Sequence, residues 1–232
     1  MPKAAMKQNN AVITIDGPGA TGKSTVAWLV SQCLGIDFLN SGSLYRIAAY
    51  IAVSNGISDD MEHLSHLVNA SKIAFMPNLS GRDYHIMLDQ NDITDEITSD
   101  EMGMMASDIS KSPILRERLI EKQRQFDRGL GLVADGRDMG SKIFPDATYK
   151  FFLTASPQLR AERRFKQLQE KQIDANLEEV YQALLKRDEQ DMQRSTAPLV
   201  IPKMATVIDT SAVSIKEVVN EIVESCTIQE RC

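Results

Sequence analysis

The sequence predicts an α/β fold, a five-stranded parallel sheet flanked by helices with a small antiparallel β-containing insert. Three observations carry that prediction. A buried-strand run, AVITID at 11–16, passes through a glycine-rich loop into a helical pattern. Four further short apolar runs are separated by helix-period segments, the alternation that builds parallel sheets covered on both faces. One turn-rich stretch, 71–97, breaks the rhythm.

The elements follow in order. After the loop, Val26, Ala27, Leu29, Val30 and Leu34 recur at helical spacing, and IDFLN at 36–40 reads as the second strand. GLVADG at 131–136, YKFFLTA at 149–155 and TVIDT at 206–210 supply the remaining three. Ser112-Pro113 and Ser156-Pro157 each place an N-cap before a proline at the first helical position. Asn176 with Glu179 and Ser214 with Glu217 have capping-box spacing. Within 71–97, the runs KIAFM, DYHIML and DIT alternate with the turn segments PNLSGR and DQN, which predicts an antiparallel meander.

Composition bounds the function. At 232 residues, 43% hydrophobic and 25% charged, the chain fits one α/β domain carrying an insertion. A formal charge of -6 argues against a surface that wraps a nucleic-acid polymer, although a few local arginines suffice for small anions. Cys33, Cys226 and Cys232 lack metal-like spacing and read as reduced thiols. The segment MPKAAMKQNN has no apolar core of a signal peptide, and IAAYIAV at 47–53 is too short to cross a bilayer, so a cytoplasmic protein is expected. No long apolar stripe lacks an assigned place, which makes a monomer the expectation.

GPGATGKST, comprising Gly17, Pro18, Gly19, Ala20, Thr21, Gly22, Lys23, Ser24 and Thr25, satisfies the phosphate-loop pattern Gly17-x4-Gly22-Lys23-Ser24. Its backbone N–H groups can cradle the phosphates of a nucleoside triphosphate, Lys23 can reach the transferred phosphate, and the Ser24 hydroxyl can ligate Mg2+. A guanine-reading Asn-Lys-x-Asp is missing from the sequence. Asp135, closing the GLVADG strand, is placed either to approach Mg2+ through water or merely to cap a turn.

NSGSLYR at 40–46 follows the second strand and puts Ser41 and Arg46 near the mouth of the loop, where α/β sheets bind ligands. DGRDMG at 135–140 sets Arg137 beside Asp138, either as an ion pair holding a loop or as part of a site. Arg187, Asp191 and Arg194 fall at i, i+4 and i+7 of one helix, a face that could grip a ribose phosphate or form a solvated salt-bridge ladder. Arg160, Arg163 and Arg164 form a basic ridge suited to a lid over a triphosphate. His63, His66 and His85 are expected to take no part in chemistry. The methionines of 102–105 are expected to pack between insert and core.

Together the phosphate loop, NSGSLYR, LVADGRDMG, FPDA, FFLTAS with RAERR, and RDEQDMQR resemble the bacterial cytidylate kinases in order and spacing over nearly the whole chain. The resemblance implies a P-loop NTPase core over 1–70 and 98–232, a helical lid at about 156–175 and a nucleoside-monophosphate-binding insert at 71–97. It implies transfer of the ATP γ-phosphoryl group to CMP or dCMP, with Mg2+. By the same resemblance Ser41, Ser107, Arg116 and Asp138 lie at the cytosine, and Arg46, Arg137 and Arg194 hold the acceptor phosphate. Asp191 and Arg187 surround the sugar, and Arg163 and Arg164 are lid arginines; Lys23, Arg137, Arg163 and Arg164 form the catalytic set. The chemistry agrees, since a carboxylate at Asp138 attracts the N4 amino group of cytosine and repels the carbonyl of uracil, while Arg116 complements O2 and N3.

Two departures stand out. Ala20-Thr21 replaces the Gly-Ala usual in that family, with a glycine earlier at Gly19, and Asn40 replaces its usual aspartate. From the residues alone, a kinase for UMP, AMP or shikimate and a non-catalytic ATP-sensing module also remain open.

Overall fold

The computed structural model describes residues 10–57, 60–78, 83–194 and 197–228. The N-terminal residues 1–9, the 79–82 part of the PNLSGR turn and Cys232 lie outside them.

Strands β1 (Val12–Asp16), β2 (Asp37–Asn40), β6 (Leu132–Gly136), β7 (Tyr149–Thr154) and β8 (Thr206–Asp209) form one parallel sheet in the order β2-β6-β1-β7-β8. The chain leaves β1 towards β2 on one side and later fills β7 and β8 on the other, so the order reverses at β1. Such a switch point opens a crevice at the strands' C-terminal ends. The register then decides which residues line it: Asp16 stands beside Gly136, and Asn40 beside Asp135.

Helices α1 (Lys23–Leu34) and α9 (Ile215–Ile228) cover one face, and α2 (Ser41–Asn55), α3 (Met61–Ala70) and α6 (Pro113–Arg124) the other. Each face has its own apolar cluster. Ile13, Ile15, Trp28, Val30 and Phe151 pack on the α1 side, and Leu39, Leu44, Ile47, Leu115 and Leu132 on the α2 side. Burying each such large side chain stabilises the fold by about 1.5–3 kcal/mol. Helices α7 (Pro157–Glu170) and α8 (Leu177–Gln193) pack against each other above the crevice.

The helix starts are fixed as their sequences suggest. Ser112 and Ser156 accept from Leu115 N and Leu159 N, and Asn176 accepts from Glu178 N and Glu179 N. Ser214 and Glu217 exchange reciprocal bonds.

Strands β3 (Ile73–Pro77), β4 (Tyr84–Leu88) and β5 (Asn91–Asp92) make the antiparallel insert. Its third run is shorter than DIT suggests, because Thr94 opens helix α4 (Thr94–Thr98) instead of extending the strand. The Asp92 carboxylate accepts from both the backbone N–H and the hydroxyl of Thr94, a local turn that competes with strand pairing. Helix α5 (Asp100–Ile109) follows, with Met102 and Met105 packed against the core. Met104 does not fit the packing expectation: it is 66% exposed, on the outer side of α5. Among the described residues no helix is long and apolar enough to cross a membrane.

Candidate active site

The phosphate loop connects β1 to α1 in a conformation that its residues dictate. Gly17 has φ 150°, and a Cβ there would lie 2.1 Å from the Leu153 carbonyl oxygen, so only glycine fits. Helix α1 begins without a side-chain cap, which leaves its first N–H groups to an incoming anion. Lys23 Nζ donates to the Pro18 carbonyl at 3.0 Å. Burial pushes Lys23 down to about 8, with Asp135 opposing and Arg137 and Arg187 adding to the shift. An arriving phosphate would reverse that penalty.

The unusual pair in the loop now has a geometry. Ala20 adopts φ 59°, the left-handed region that costs a residue with a Cβ about 1–2 kcal/mol. Thr21 is buried, and its hydroxyl donates to the Pro18 carbonyl at 3.2 Å. Its carbonyl accepts from Thr210 Oγ1 at 3.2 Å.

Across the crevice, one cavity of about 100 Å³ gathers Ser41, Arg46, Ser107, Arg116, Arg137, Asp138, Arg187 and Arg194. All the residues assigned to the acceptor side therefore line it except Asp191, which lies behind, fully buried and ion-paired to both Arg137 and Arg194. Arg116 donates to Asp138 at 3.0 Å, reaches the Ser110 carbonyl at 3.3 Å and stands 5.5 Å over the Tyr45 ring. Burial pushes the Asp138 carboxyl up, opposed by Arg116, Arg194 and Arg137. Ser41 donates to Gln123 Oε1 at 2.7 Å, and Arg46 lies across Gly103, where a Cβ would meet its Nη2 at 2.7 Å.

The cations are crowded. Arg187 reaches solvent along the cleft, yet desolvation there holds it down to about 10, and Arg137, Arg46 and Arg194 add to the fall. Arg137 Nη2 is buried without a hydrogen bond, and a Cβ on Gly19 would lie 3.7 Å from it. Arg137 thus stands between the phosphate loop and this cavity, where an anion would compensate the crowded cations.

The cytidylate kinase family model matches residues 13–228. The chain belongs to the cytidylate kinase family. A cytidylate kinase from Nitrosomonas europaea is 47% identical over 216 residues, covering 93% of this chain and 95% of that protein. One from Paraburkholderia phymatum is 46% identical over 92% of this chain and 91% of its own, and one from Shewanella denitrificans 39% identical over 94% and 97%.

In this cytidylate kinase family member, the arginine ridge of α7 divides. Arg160 is buried, pairs with Asp188 at 2.6 Å and donates to Gly19 O at 3.3 Å. Arg163 bonds Thr210 and reaches Thr21 O at 3.5 Å, so both residues rest on the phosphate loop. Arg164 lines a wider cleft of about 660 Å³, which adjoins the acceptor cavity at Arg46, Ser107 and Arg187. His63 and His66 are exposed on α3, and His85 pairs with Asp92 at 2.7 Å, all away from this cleft.

Several residues around the site escaped the sequence reading. Gln123 anchors Ser41, Asp188 neutralises Arg160, and Thr210 ties the loop to α7. Asp16 is the most consequential: fully buried, it accepts from Met139 N and Gly140 N, both at 2.8 Å. It thereby fixes the single π-helical turn Met139–Ile143 that follows Arg137 and Asp138. A carboxylate ending a buried-strand pattern, VITID, was the available signal.

Burial raises Asp16 from 3.8 to about 7, against the two N–H bonds and reinforced by Asp138 and Asp135. The folded chain therefore holds this proton more tightly than the unfolded one. Its contribution to stability is constant below about pH 4, declines as pH rises towards 7, and is constant above, with a slope of up to about 1.4 kcal/mol per pH unit. Asp16→Asn abolishes that decline. Urea unfolding of both proteins at pH 4.5 and 7 checks it: the stability difference between them is expected to move in favour of the variant at pH 7, and a pH-independent difference contradicts the assignment.

Proposed function

We propose that this protein transfers the γ-phosphoryl group of ATP to CMP or dCMP, giving ADP and CDP or dCDP. The observation that carries this reading is Arg137, which lies against Gly19 of the phosphate loop and lines the same cavity as the Arg116–Asp138 pair. Phosphoryl transfer asks a protein mainly for position and charge stabilisation. Lys23 and Arg137 neutralise the transferred group, Arg46, Arg187 and Arg194 hold the acceptor phosphate and its sugar, and Arg163 and Arg164 close on the donor. No general base is required, because an acceptor phosphate oxygen is already nucleophilic.

Mg2+ accompanies the ATP in this reading. Ser24 lies beside Asp135, whose Oδ1 is buried without a hydrogen bond, a donor set that suits a hard cation held partly through water. Among the described residues no group of three His, Cys, Asp or Glu side chains could hold a metal, which fits an ion carried mainly by phosphate oxygens. When bound, the ion supplies charge neutralisation at the phosphates. We infer a monomer acting in the cytoplasm, since no long apolar stripe of the sequence lacks an assigned place.

A coupled assay with ATP and Mg2+ against CMP, dCMP, UMP, AMP and GMP tests the proposal. Fastest turnover of CMP or dCMP is expected; fastest turnover of AMP or GMP overturns it, and no turnover of any favours an ATP sensor. Asp138→Asn is expected to lower the preference for CMP over UMP by about 1–3 kcal/mol, the cost of leaving a polar partner unsatisfied. Measured kcat/KM ratios check this, and an unchanged ratio removes Asp138 from base reading.

A further inference from the structure

Asn40 makes contacts that an aspartate in its place could not. Its Oδ1 accepts from Ser43 N at 2.8 Å and caps α2. Its Nδ2 carries two hydrogens, and both are used: one goes to Asp135 Oδ2 and one to the Tyr84 hydroxyl, each at 2.9 Å. The cap fixes which end of the amide is the oxygen, and therefore which end donates.

The two acceptors belong to different parts of the molecule. Asp135 is the penultimate residue of β6, beside Lys23 and Ser24 at the phosphate loop. Tyr84 opens β4 of the insert, and its ring is wedged among Trp28, Phe38 and Phe75 at centroid distances of 5.1, 5.0 and 5.6 Å. Burial raises the Tyr84 hydroxyl well above its usual range, so it stays protonated and accepts from Asn40 as a neutral group.

We propose that Asn40 is a positioning residue that ties the seating of the insert, through Tyr84, to the orientation of Asp135 at the phosphate loop. Asn40 holds one oxygen of Asp135, a carboxylate that is also hydrogen-bonded to the Ser24 side chain and whose other oxygen, Oδ1, is buried without a hydrogen bond. A shift of the β4 strand moves the Tyr84 hydroxyl, and Asn40 passes that shift to the carboxylate. The residue works through Asp135 and touches no substrate. Neutrality is part of the device, since a second carboxylate at this distance would repel Asp135 and donate to neither partner.

This inference rests on the kinase reading, and its test separates the two. Tyr84→Phe keeps the ring in its cluster and removes only the hydroxyl. Asn40→Ser keeps a helix cap but is too short to bridge both partners. For Tyr84→Phe, kcat with CMP is expected to fall about fivefold, with KM for CMP and ATP unchanged within about twofold. The factor by which Mg2+ tightens ADP binding, measured by calorimetry, is expected to fall alongside it. Asn40→Ser is expected to lower both quantities further, and the loss in the double variant to fall short of the sum of the two single losses, because the Tyr84 hydroxyl acts through Asn40 besides its hydrogen bond with Ser43. Wild-type kcat and wild-type Mg2+ enhancement in Tyr84→Phe overturn the proposal, as does full additivity in the double variant. The calorimetric arm needs no acceptor nucleotide, so it stands even if the wild type prefers a substrate other than CMP.

Discussion

Lys23→Met is expected to lower kcat by about two to three orders of magnitude, the scale of losing one preorganised charge at a transferring group. Stability should hold or rise. The wild-type ammonium is buried against the Pro18 carbonyl and pushed down to about 8 by desolvation, so an apolar side chain of similar length relieves a cost the empty loop carries. Coupled-assay kcat and a thermal melt, run on the same preparations, check both halves. A variant that retains more than a tenth of the activity removes Lys23 from the transfer step, whatever its melting temperature.

The second large effect belongs to a residue behind the cavity. Asp191 is fully buried between Arg137 and Arg194, and Asp191→Ala leaves two guanidinium groups facing each other without their carboxylate. Breaking a buried pair from one side costs about 3–5 kcal/mol, far more than the pair itself is worth. Urea unfolding is expected to show a loss of that size. The deficit should shrink when CMP is present, because a phosphate between the arginines supplies the missing negative charge. A loss below about 1 kcal/mol, or a deficit indifferent to CMP, shows that solvent already compensates these arginines.

Much of this molecule was legible in its sequence because the informative residues are close neighbours in the chain. The strand, loop and helix around Gly17–Ser24 and the caps at Ser112, Ser156, Asn176 and Ser214 all follow from local periodicity and capping chemistry. Parallel strands then brought the ends of β2 and β6 together, which is why Ser41, Arg46, Arg137 and Asp138 share one cavity. Contacts between distant segments were not legible. Arg160 looked like part of an exposed ridge until Asp188, on the next helix, proved to hold it inward. Asn40 looked like a lost charge; its partners Tyr84 and Asp135 lie 44 and 95 residues away, a separation that spacing rules do not reach. Thr94 failed for the opposite reason, a very local one: a side-chain turn with Asp92 outcompeted the strand pattern.

The aromatic cluster has an optical consequence. The chain contains a single tryptophan, and Trp28 sits on α1 directly after the phosphate loop with its indole against Phe38 and against Tyr84 of the insert. Its fluorescence therefore reads the seam between α1 and the insert without any added label. The protein carries its own gauge of how closely α1 and the insert are seated against each other.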